Sequence, residues 1–161
     1  MAELEADGPI NTIDDVLARL DAIEALPEAA LKARAEELAA RMLGLGETIL
    51  QFWVRSRGET PTTQEKEGFV ILALHRQGAK GEPSFNACRE TCREIVFQHN
   101  VILQSGEDTV RLSALRLMVM VVRHLALFVS GKLEVAGLGE FCCASKSIRQ
   151  KSDIADATNM I

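Results

Sequence analysis

Residues 31–52 read LKARAEELAARMLGLGETILQF. Leu31, Ala35, Leu38, Met42, Leu45, Ile49 and Phe52 alternate steps of four and three through this stretch. That spacing puts them on one stripe of an α-helix, the seam of a helix packed lengthwise against neighbours. The pattern predicts a single helix running to Arg57 and stopping at Gly58. At 1.5 Å per residue, some 30 residues would span roughly 45 Å. Gly44 and Gly46 interrupt it, each costing about 1 kcal/mol against alanine. Glycines here mark a close helix approach or a kink.

The same period of three and four recurs on both sides. Ile13, Val16, Leu17, Leu20 and Ile23 form one face of a first helix. Thr12 is placed to cap its free amides, and Asp14 and Asp15 suit the positive end of its dipole. Pro27 closes this helix or opens the next. Gly58 to Pro61 reads as a turn. Thr62-Thr63-Gln64-Glu65 fits a capping box, predicting a third helix to about Gln77. A loop over Gly78 to Pro83 leads to a fourth helix, opened at Pro83 or Ser84 and ending near Gln104. A fifth starts at Asp108 or Thr109 and ends at Ser130-Gly131. A short helix is expected over 138–151. No segment alternates as a strand requires. The expected architecture is all-α: an antiparallel bundle of about five helices with a short C-terminal helix. Residues 1–10 read as a flexible lead, 11–151 as one bundle domain and 152–161 as a tail.

Composition agrees with this reading. A chain of 161 residues, 47% hydrophobic and 25% charged, has the make-up of a globular protein. Aromatics are 4% with no tyrosine, so the core must be aliphatic. The net charge of −5 is uneven. Residues 1–30 hold eight acids against Arg19, while the remainder carries 17 bases against 15 acids. A nucleic-acid binder usually shows a clustered basic face; this balance argues against that class. The acidic segment reads as a solvated face or a partner-docking arm. The opening MAELEADGPI has no apolar core of a secretory leader. The most apolar run, LMVMVVRHLALFV over 117–129, is shorter than the roughly 20 residues of a membrane span and contains Arg123 and His124. It is read as a buried core helix of a cytoplasmic protein, with no membrane partner. In that compartment its four cysteines stay reduced.

The fourth helix carries the unusual chemistry. Phe85, Cys88, Cys92, Ile95, His99 and Ile102 form one stripe, and half of its positions are ligand types. Cys88 and Cys92, one turn apart, could supply two corners of a thiolate metal site. A closed zinc site wants four ligands, which brings in Cys142 and Cys143. The bland reading of the pair is two small buried hydrophobes. His75, His99 and His124 fall on three different helices; converging imidazoles would suit a metal or haem. A small-molecule pocket lined by His99, His124 and Met120 is a further candidate. His124 sits on a stripe with Leu117, Met120, Val121, Leu127 and Phe128, and the imidazoles converge only if the three stripes face one core. Arg116 and Arg123 share a face and should meet carboxylates or extend to solvent. Trp53 reads as a core-edge residue.

No Glu-x-x-His pair, H-E-x-x-H, phosphate loop or nucleophile elbow occurs. No catalytic set is therefore identified. The sequence points to a helical interaction or accessory protein that acts through protein contacts and self-associates, needing no cofactor. The alternative is a metal-, haem- or redox-responsive sensor built on Cys88 and Cys92.

Overall fold

The computed structural model describes residues 8–79 and 88–135. Among them are six α-helices and no strand. α1 spans Ile13–Glu24, α2 Glu28–Ala33, α3 Ala35–Ser56, α4 Val70–Ala79, α5 Arg89–Gln104 and α6 Asp108–Val135. The fold is all-α, as the periodicity predicts. The helix expected over 138–151 and the tail after it lie outside the described residues.

α1 begins where the caps place it. The Thr12 hydroxyl accepts from the Asp15 amide at 3.1 Å, and the Asp15 carboxylate accepts from the Asn11 and Thr12 amides at 2.8 and 3.0 Å. These bonds, the Asn11 amide first, hold the Asp15 carboxyl below its ordinary range.

The long helix predicted to run to Arg57 is two helices. Arg34, at φ −112° and ψ 22°, leaves the helical conformation and separates α2 from α3. Its guanidinium turns onto Glu37 through two bonds of 3.0 and 2.7 Å. Apolar spacing continues across the break, which is why the seam alone did not reveal it. Leu31, Ala35, Leu38, Met42, Leu45 and Ile49 are all buried, with Phe52 half-buried. Gly46 serves close approach: a Cβ there would lie 2.7 Å from Cδ1 of Ile71 and 3.5 Å from Cδ1 of Ile95. Gly44 has open space around it.

The expected helix from Thr62 does not form; α4 starts at Val70. The Thr62 hydroxyl accepts from the Gln64 amide at 3.0 Å, a local turn that competes with the capping box. Gln77 clamps this strap to α4, receiving the Thr62 amide and donating to the Thr60 carbonyl, both at 2.9 Å. The strap ends in a tight turn closed by reciprocal 3.0 Å backbone bonds between Lys66 and Phe69.

α3 and α6 form the central pair. α1, α2 and α5 pack on both, and α4 packs on α3 and α5. Trp53 is fully buried, not at the core edge. Its indole N–H donates to the Gly78 carbonyl at 3.2 Å, satisfying one of the last-turn carbonyls of α4 that no helical amide reaches.

Candidate functional site

The predicted chemical stripe on α5 is largely internal. Cys88 sits in the turn that opens the helix, not within it, and Cys92 one turn later; both are buried, with Ile95 and Ile102 continuing the stripe. Burial pushes the Cys92 thiol up to about 12. A thiol so displaced stays protonated at neutral pH, which makes it a poor nucleophile. Cys142 and Cys143 lie outside the described residues. Among the described residues no three histidine, cysteine or acidic side chains cluster as a metal site would need.

Among the described residues the three histidines form no common metal site. His75 is buried on α4. His99 is half-buried, its ring edge-on to Phe69 at 5.8 Å and its Nδ1 3.1 Å from Oδ1 of Asn100. Its predicted place on the buried stripe is taken by Gln98, whose amide donates to Glu94 at 2.7 Å. His124 is exposed, and Met120 is 62% exposed. The pocket expected from His99, His124 and Met120 is therefore not assembled inside the bundle.

The reason lies in α6. Its buried face runs through Leu112, Leu115, Met118, Val119, Val122, Leu125, Ala126 and Val129. Of the stripe read through His124, Leu117, Met120, His124 and Leu127 face outward, while Val121 and Phe128 are half-buried against the core. A helix apolar on most sides has no single stripe to mark its inner face. Together with Val110 and Ser113, these outward residues step 3, 4, 3, 4, 3 along the helix, and all six are exposed. They trace a second seam of the kind that pairs helices. Phe97, 59% exposed, and Leu103 add apolar surface from α5.

The seam has relief on both flanks. Toward α5 an open groove of about 370 Å³ is lined by Phe97, Val101, Val110 and Leu117 among others. Toward α1 and α2 a dimple of about 130 Å³ is bounded by Ile23, Leu31, Leu115, Arg116 and Met120. Arg123 is engaged on that flank, bonding Asp21 at 2.8 Å and Glu24 at 2.7 Å. Two acids of the N-terminal excess are thus spent on tying α1 to α6. There is no acidic residue between Asp108 and Glu134. α6 is also long and apolar enough, by length and composition, to cross a membrane, with half of its most apolar window buried inside the bundle.

No protein-family model, curated protein or solved structure matches the chain. The functional reading rests on its own residues.

Proposed function

We propose that the protein is a helical interaction module that works by protein–protein contact and pairs with a second copy of itself along the outward seam of α6. The observation that carries this reading is the run of six exposed positions, Val110, Ser113, Leu117, Met120, His124 and Leu127, at seam spacing on a helix whose opposite face is already buried. Four of the six, Val110, Leu117, Met120 and Leu127, are large apolar side chains, and exposed apolar surface of this kind marks a contact site.

Two features favour a second copy as the occupant. A two-fold pairing uses the same patch from both chains, and an antiparallel pairing centred at Met120 sets each Met120 beside the partner's dimple. It also sets Arg116 of one chain opposite His124 of the other, one residue from Arg123. Arg123 with Asp21 and Glu24 forms a cluster of net charge −1, so the contact attracts. In this reading the protein is cytoplasmic, α6 is a core helix with one face given to the partner, and neither metal nor haem takes part.

Size-exclusion chromatography with light scattering tests the proposal. The wild type should elute as a dimer, and Leu117→Glu with Met120→Glu as a folded monomer. A wild-type monomer at high concentration overturns self-association. Recovery of the chain in carbonate-resistant membranes would instead make α6 a membrane segment.

A further inference from the structure

A cleft of about 270 Å³ opens between the Lys66 turn, α4 and the first turns of α5. Leu72, His75 and Ala79 form its floor, and Lys66, Arg76, Arg89 and Arg93 its rim. Four permanent cations therefore converge on one small cleft in a chain whose net charge is −5. Clefts lined by one sign of charge concentrate ions of the other.

A carboxylate already answers these cations. Glu67 bonds both terminal nitrogens of Arg93, at 3.1 and 2.9 Å. Arg93 first, with Lys66 and Arg89 adding, holds the Glu67 carboxyl below its usual range. Glu67 sits at φ 57° and Gly68 at φ 87°. Two-residue turns with both central residues at positive φ ordinarily take Asn-Gly. Glutamate is strained there, yet the turn aims its carboxylate at the arginine.

We propose that this cleft binds a small phosphate dianion, as inorganic phosphate or a phosphate monoester, through Arg76, Arg89, Arg93 and Lys66, and that Glu67 is the internal counter-ion the ligand displaces from Arg93. Guanidinium forks match phosphate oxygens two at a time, and ammonium adds a point charge. The cleft volume of about 270 Å³ suits a small ligand. It is below the range of about 300–1,000 Å³ typical of larger ligands. The apolar floor of Leu72 and Ala79 gives the organic part of a monoester a surface to lie on. The cleft shares no residue with the α6 seam, so either proposal can fail without the other.

Isothermal titration of the full chain with inorganic phosphate and with glycerol 3-phosphate, at fixed ionic strength, tests the site. One-site saturable binding is expected. Arg89→Gln with Arg93→Gln should weaken it at least about tenfold. Glu67→Gln should tighten it by about threefold, since a competing carboxylate is gone; a merely structural ion pair predicts no gain. These side chains lie at the surface, and circular dichroism melts confirm that the variants fold. A parallel sedimentation with phosphatidate-containing vesicles separates a lipid headgroup from a soluble phosphate. Binding to either that is lost in the double arginine variant supports the site. No saturable binding to any of the three, binding insensitive to the arginines, or weaker binding by Glu67→Gln overturns it.

Discussion

Replacing Trp53 by phenylalanine tests how α3 is locked to α4. The indole is fully buried, donates to the Gly78 carbonyl at 3.2 Å and lies under the Arg57 guanidinium at 5.5 Å. Phenylalanine keeps a ring but removes the N–H and two carbons. Losing the hydrogen bond costs about 1 kcal/mol. Losing two buried carbons costs about 1.6 kcal/mol at 0.8 kcal/mol each. The cation–ring contact survives with the smaller ring, so the expected loss is about 2.5 kcal/mol. For a chain of this size that lowers Tm by roughly 5–10 °C. The assay is urea denaturation followed by far-ultraviolet circular dichroism, because the variant has no tryptophan to report fluorescence. A loss below about 1 kcal/mol, or an unchanged midpoint, would show that the indole is not locked between the helices and would refute the packing of α4 described above.

Two further predictions concern the same core. Gly44→Ala should stabilise the protein by about 0.5–1 kcal/mol, the helix-propensity gain at a position with open space around it; a destabilised variant in thermal melts would contradict the geometry of α3. The Cys92 thiol, raised from 9.0 to about 12 in the fold, keeps its proton when the unfolded chain has lost it. Its contribution is whole below pH 9 and declines at about 1.4 kcal/mol per pH unit as pH rises toward 12. Cys92→Ala should show a shallower alkaline decline in denaturant midpoints, and equal slopes would count against burial of the thiol.

Local chemistry made some of these features legible in advance. Thr12 and Asp15 lie three residues apart and specify the start of α1 without help from the rest of the chain. The buried seam from Leu31 to Ile49 follows from spacing alone. Thr62 shows where such reasoning stops: its hydroxyl had two amides within reach, and the nearer turn won. Arg34 breaks a helix whose apolar pattern continues across it. On α6 the failure was different. Hydrophobic residues occupy most of its circumference, so periodicity identifies a helix and not which of its apolar faces turns inward. Cys88 and Cys92 were correctly placed inside, but Gln98 replaced His99 at the edge of the stripe, where one residue's 100° step decides burial. The basic cleft could not be read at all as a unit, because Lys66, Arg76, Arg89 and Arg93 come from three separate segments that only folding brings together. The i, i+4 pair Arg89 and Arg93 was its one trace in the sequence.

The mass of the protein in solution tests pairing through the α6 seam most directly. Light scattering across a hundredfold range of concentration should give twice the chain mass of 17.6 kDa at the upper end. Leu117→Glu with Met120→Glu should hold that mass at a single chain while leaving the helical circular dichroism signal intact. A single-chain mass for the wild type throughout, or a dimer untouched by the two glutamates, would contradict it.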